Sequence, residues 1–314
     1  MKKNILCLFL AVIGGVIYAQ NELTVYAIKG PSGVALIQLF EKPPVVPGFN
    51  IKVEALAQAD QMAARIIAGE IKIGVLPSNT AAKIAASGKA IQVAAVTGNG
   101  MLSLLSTDLT VKSIKDLKDK TLSVAGQGAV PEFVFRKILA NNKVDAKSVQ
   151  MDFSLAYPEI AASLIAGRIK TALLPEPFAS MAREGNKEIR QIGDIQNEWR
   201  KAVKQANYPM TVIVVNSDFA KQNPLVVKSI LSAIKDSVAW VIANPVEAGN
   251  LVEKHSLGLK AAVVAASVPK SNYVYAAAPA ARKSLDALYR IFLEFEPSSI
   301  GGKLPDDSFY LELP

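Results

Sequence analysis

Short apolar runs of strand length alternate along this chain with longer, Ala-rich segments of helix length, and Gly or Pro marks most of the turns between them. Strands are predicted at 23–28 (LTVYAI), 50–56, 71–76 and 91–96, with helices at 34–42, 58–69 and 77–87 between them. The same order returns as strands at 120–125 (KTLSVA), 149–153 and 169–174, with helices at 131–141, 157–167 and 175–184. Such alternation predicts an α/β fold, each sheet mostly parallel and covered on both faces. Two further extended segments, 102–106 and 209–216 (PMTVIVVN), bracket the second set. The chain is therefore expected to leave a first lobe, build a second, and return, with these two segments as a two-strand hinge. Helices at 224–243, 245–254 and 278–295 form a tail. Leu225, Ile230, Ile234 and Val238 fall on one face at helical spacing, which places the tail mainly on the first lobe.

An internal repeat organises this pattern. Residues 63–81 (AARIIAGEIKIGVLPSNTA) align without gaps on residues 161–179 (AASLIAGRIKTALLPEPFA), identical at ten of nineteen positions at an offset of 98. Each copy reads as an Ala-rich helix, a Gly where the helix needs a left-handed end, an apolar strand, and a Pro opening the next helix. Two copies so far apart imply two similar lobes rather than a solenoid, which stacks several short units. The expected division is 20–103 for the first part of lobe one, 104–208 for lobe two, and 209–314 for the completion of lobe one with the C-terminal helices.

The N-terminus changes the compartment. Lys2 and Lys3 precede an almost unbroken apolar run from Ile5 to Ile17, and Ile17-Tyr18-Ala19 fits a cleavage site, so residues 1–19 read as a signal peptide. The run is about 13 residues, short of the roughly 20 a membrane-spanning helix needs. The chain's one cysteine, Cys7, lies inside the run rather than after it, so it does not read as a lipid-attachment site. The mature chain then has no thiol, and its stability must come from a packed core. Its 314 residues carry a net charge of +8, or +6 without Lys2 and Lys3, and the basic residues are scattered, which argues against nucleic acid as a partner.

Candidate chemistry gathers where strands end and helices begin, because helix N-termini there offer unpaired N–H groups to a ligand. In lobe one these positions are Gly30, Ser32 and Gly33, then Ser78, Asn79 and Thr80; in lobe two they are Gly126, Gln127 and Gly128, then Glu176. Gly30, Gly33 and Gly128 allow close backbone approach, and the hydroxyl and amide side chains add hydrogen bonds. Helix termini suit an anionic group, and Glu176 suits a cationic or donor-bearing one. Tyr26, Phe133, Phe178 and Tyr208 are candidate walls. The catalytic inventory is thin: His255 is the only histidine and falls in the tail, and neither a His cluster nor a phosphate-binding loop with Lys is present. No catalytic residue, metal or cofactor is therefore assigned.

GPSG after the first strand, AARIIAGEIKIGVLPSNTAAKI, SIKDLKDKTLSVAGQGAVPEFVFRKIL and LIAGRIKTALLPEPFASM together resemble the nitrate/sulfonate/taurine-type substrate-binding proteins of ABC importers, which are related to the thiamine-precursor-binding group. The late segment PSSIGGKLPDDSFYLEL resembles the tail of a subgroup of these receptors. The resemblance implies a type II periplasmic-binding-protein fold, a monomer in the periplasm, and two lobes that close on a small organic solute and deliver it to an inner-membrane permease with its ATPase. It places the ligand near Gly30, Ser32, Ser78, Asn79, Gly128 and Glu176. The strongly basic side chains of a dedicated nitrate or bicarbonate receptor are not evident in these turns. Two alternatives share the fold: an enzyme of pyrimidine or menaquinone biosynthesis, and a receptor that signals.

Overall fold

The computed structural model describes residues 21–313, and the signal peptide expected over 1–19 lies outside the described residues. The chain opens with β1 (Asn21–Ile28), α1 (Pro31–Ala35), α2 (Ile37–Glu41), β2 (Phe49–Leu56), α3 (Ala59–Ile67), β3 (Ile73–Pro77), α4 (Ser78–Ala86) and β4 (Ile91–Gly98). It crosses into β5 (Leu102–Ser106), β6 (Thr121–Val124), α5 (Val130–Asn141), β7 (Gln150–Asp152), α6 (Tyr157–Ile165), β8 (Thr171–Pro175), α7 (Phe178–Gly185), β9 (Arg190–Gln191) and α8 (Ile195–Val203). β10 (Thr211–Asn216) returns, followed by α9 (Ser217–Gln222), α10 (Pro224–Ala243), α11 (Pro245–Lys254), α12 (Ala261–Ser267), β11 (Tyr273–Ala277) and α13 (Ala278–Phe295). The sequence pattern does not announce α8, α9, α12, β9 or β11, and the helix expected at 34–42 starts earlier, at Pro31, and breaks at Leu36. Pro31 accounts for the early start, since its fixed φ suits the first helical position.

The strands form two sheets, β11-β4-β10-β3-β1-β2 and β7-β6-β8-β5-β9. Read inward from β2 and from β7, five strands follow the same arrangement in both, as the repeat implies. The repeated helices end alike. Gly69 and Gly167 take φ 77° and 72°; the next residues, Glu70 and Arg168, donate back to Arg65 and Ser163. That six-to-one bond needs a left-handed residue, which glycine adopts without a Cβ penalty.

β10 runs antiparallel to β3 and β4, and β5 antiparallel to β8 and β9. The reason is where each strand enters. Coming from the other lobe, it arrives at the carboxyl ends of the parallel strands and must run back along them. The segments expected to pivot are thus inner ladder strands, bonded on both sides. The connections between the lobes are the short stretches 99–101 and 207–210. The tail covers the first sheet, with Ser237 Oγ donating to Ala35 O at 3.0 Å, but it also reaches lobe two: Phe292 meets Phe133 edge-on at 4.9 Å, and Lys137 pairs with Glu294 at 2.7 Å.

Candidate functional site

The carboxyl ends of both sheets face one another across a seam, and the turns singled out from the sequence meet there. Gly30 has φ 107°, and a Cβ on it would lie 3.3 Å from the ring of Phe178 at the start of α7. Phe178 in turn stacks on Tyr157 at the start of α6, with centroids 5.8 Å apart and planes 21° apart. A lobe-one turn thus abuts an aromatic pair of lobe two. Across the same seam, Asn79 Nδ2 donates to Gly128 O at 2.9 Å. Gly128 N donates to Glu132 Oε2 at 2.7 Å, and Glu132 is held by Arg136. Gln127 is exposed at the tip of this turn, and Thr80 is half-buried one residue beyond Asn79.

Other candidates are occupied by the fold itself. Ser32 Oγ donates to Ile28 O and accepts from Ile28 N, at 2.9 and 3.1 Å, closing its own turn. A Cβ on Gly33 would press on Ile28 O and Leu257, so this glycine serves helix-to-strand packing. Ser78 donates through Oγ to Pro209 O at 2.8 Å and through its N–H to Met210 O at 3.1 Å. Its repeat equivalent, Glu176, donates its N–H to Met101 O at 3.0 Å. Each copy of the repeat therefore pins one of the two connections between the lobes.

Glu176 is 1 % exposed. Its Oε2 accepts from Ser180 N at 3.0 Å, and its Oε1 from Arg183 Nη2 at 3.1 Å. Burial pushes its carboxyl above the ordinary value of 4.5, against the lowering pull of Ser180 and Arg183. The fold then binds more protons than the unfolded chain in the window above 4.5, so this group's contribution to stability falls as pH rises through it. Glu176→Gln removes that dependence. Melting temperatures at pH 4.5 and pH 7 are expected to show the gap between variant and wild type moving in the variant's favour at the higher pH; a constant gap would contradict the assignment.

Beside Glu176 lies a cavity of about 170 Å³, lined among others by Gly100, Met101, Arg183, Asp194 and Lys270. Buried polar atoms without a partner at this end of the sheets include these four: Asn79 Oδ1, Thr97 Oγ1 at the end of β4, Ser180 Oγ, and Tyr273 OH at the start of β11. Each such atom costs roughly 1–3 kcal/mol unless something satisfies it. Three of the four were not among the sequence candidates. Ser180 did carry a signal, because the repeat places Ala82 at its equivalent position, so a polar residue replaces an apolar one on a buried helix face. Thr97 and Tyr273 carried none. Of the candidate aromatic walls, Phe178 reaches the seam. Tyr26 lies under Arg65, Phe133 packs on Phe292, and Tyr208 is fully buried against Trp199. His255 pairs with Glu41 at 3.0 Å in the tail, away from the seam. Among the described residues, no group of three or more His, Cys, Asp or Glu could hold a metal, and no helix is long and apolar enough to cross a membrane.

Residues 48–248 match the family model described as NMT1/THI5 like. No curated protein matches the sequence. Among solved structures, the chain is similar to an ABC transporter from Parabacteroides distasonis (TM-score 0.79, 24 % identity, covering 93 % of this chain and 99 % of that one). It is also similar to the periplasmic aliphatic sulphonate-binding protein SsuA of Escherichia coli (0.73, 17 %, 94 % and 94 %). A third is the periplasmic nitrate-binding protein NrtA of Synechocystis (0.60, 14 %, 78 % and 69 %). At these identities the likeness shows a shared fold.

Proposed function

This chain belongs to the NMT1/THI5-like family, and from that membership we propose that it is the extracytoplasmic solute-binding component of an ABC importer. The observation that carries the reading is the seam. Turns from both lobes touch through Asn79 and Gly128, and through Gly30 and Phe178, around buried polar atoms that a bound solute would satisfy. Lobe one is taken as residues 20–103 with 209–314, lobe two as 104–208, and residues 1–19 as the export signal. The chain acts as a monomer that delivers its cargo to an inner-membrane permease with its ATPase.

The solute is a small organic molecule of the sulfonate/taurine or thiamine-type pyrimidine kind. Two features support an organic rather than an inorganic cargo. The Tyr157–Phe178 stack offers an apolar wall. Arg136 and Arg183, the arginines beside the lobe-two turns, are already held by the buried carboxylates of Glu132 and Glu176. The ligand set is Gly30, Asn79 and Gly128 with Thr80, Gln127, Thr97, Ser180 and Tyr273 around it, while Ser32, Gly33, Ser78 and Glu176 shape the turns that carry it.

The competing reading, a same-fold enzyme of pyrimidine or menaquinone biosynthesis, requires the cytosol. Cell fractionation with intact-mass measurement is expected to find the protein in the periplasm, beginning at Gln20. Full-length protein in the cytosol would reverse the reading.

A further inference from the structure

We propose that Asn272 is the latch of a third, non-covalent connection through the hinge, and that it sets the balance between open and closed lobes. Two peptide connections join the lobes, at 99–101 and 207–210, and the segment leading into β11 ties itself to both. Asn272 Nδ2 donates to Gly100 O and to Asn207 Oδ1, each at 3.0 Å. Its own carbonyl accepts from Asn99 N at 3.2 Å. Beyond Asn207 the chain of bonds continues into lobe two: Asn207 Oδ1 also accepts from Gln196 Nε2 of α8 at 2.7 Å, and Asn207 O accepts from Trp199 Nε1 at 3.2 Å. One hydrogen-bonded path thus runs from the first sheet's edge strand, through both connections, to a lobe-two helix.

Two properties suit this path to switching rather than to permanent bracing. Asn272 holds φ 45°, a left-handed conformation that asparagine tolerates better than most residues, between the buried residues Ser271 and Tyr273, so its amide is aimed by a fixed backbone. Asn272 is nevertheless exposed, so water can replace its partners when the lobes part. Rotation of lobe two about the connections carries Gln196 and Trp199 of α8 with it, and these two bonds draw Asn207 along, while Asn272 stays with the first sheet. Opening therefore breaks the latch, and closing restores it.

The proposal rests on the solute-binding reading only for its consequence, a change in affinity. Its test needs no solute. Asp60 follows β2 and Ser154 follows β7, the strands furthest from the hinge in each sheet, and both residues are exposed. The chain's one cysteine is Cys7, so Asp60→Cys and Ser154→Cys in the mature protein give a clean pair of spin labels. Pulsed-dipolar distances are expected to show one dominant population, with Asn272→Ala enlarging a longer-distance population several-fold. Asn272→Gly keeps the left-handed backbone but not the amide, and Asn207→Leu removes the shared acceptor; both are expected to act alike. Distances in all three variants superimposing on the wild type would overturn the latch. So would an effect of Asn272→Ala that Asn272→Gly does not share, since backbone strain would then be the cause.

Discussion

Gly100→Ala is expected to cost about 3 kcal/mol or more of stability, the upper part of the range for overpacking a filled core. A Cβ at this position would overlap the Tyr208 ring and the Gln196 side-chain oxygen. Neither can step aside cheaply. Tyr208 is fully buried, with Trp199 edge-on at 5.1 Å, and Gln196 is tied to Ala206 and Asn207 through its amide nitrogen. The clash falls where both inter-lobe connections run side by side, so it loosens the two lobes together. With roughly 2–4 °C per kcal/mol in large domains, calorimetry is expected to show the melting temperature falling by roughly 6–12 °C. An unchanged melting temperature would mean that Tyr208 does not lie over Gly100.

Gly30→Val is expected to weaken solute binding by roughly 100-fold or more, equivalent to about 2.7 kcal/mol, with a smaller loss for Gly30→Ala. Two costs add. At φ 107° a β-branched residue is strained in either state of the protein. The second cost falls between the lobes: Cβ would already stand 3.3 Å from Phe178 of the other lobe, and the γ carbons of Val reach beyond it. Because a ligand closes the lobes only through its differential affinity for the closed state, a penalty on that state subtracts directly from binding. Titration calorimetry with the captured solute would show it. Equal affinities in Gly30→Val and wild type would remove the seam from the site.

The two-lobe architecture was legible because its signals are local. Gly69 and Gly167 end equivalent helices in left-handed conformations, Pro77 and Pro175 close equivalent strands, and a gapless repeat between them leaves little room for another topology. Gly30 was legible as a turn glycine that lets the backbone come close to a neighbour. What each turn side chain does was not legible, because the answer depends on partners remote in sequence. Ser78 looked like an open hydroxyl, yet it donates to Pro209, 131 residues away. Glu176 looked like a free carboxylate, and its oxygens are already taken by Ser180 and Arg183. That 102–106 and 211–216 are inner strands paired on both sides was not legible, because an extended apolar segment reads the same whether it links two sheets or lies within one. Tyr273 escaped because β11 is a five-residue edge strand set within the helical tail, between α12 and α13.

Retention by refolded protein shows whether one small organic solute binds between the lobes. Mature protein is unfolded, freed of any carried-over molecule, refolded, and incubated with a small-molecule extract of the cells that make it. Native mass spectrometry then compares wild type with Gly30→Val. Wild type is expected to retain a single small solute, one molecule per chain, and the variant to lose it. Retention of nothing by wild type, or equal retention by both proteins, would contradict binding between the lobes.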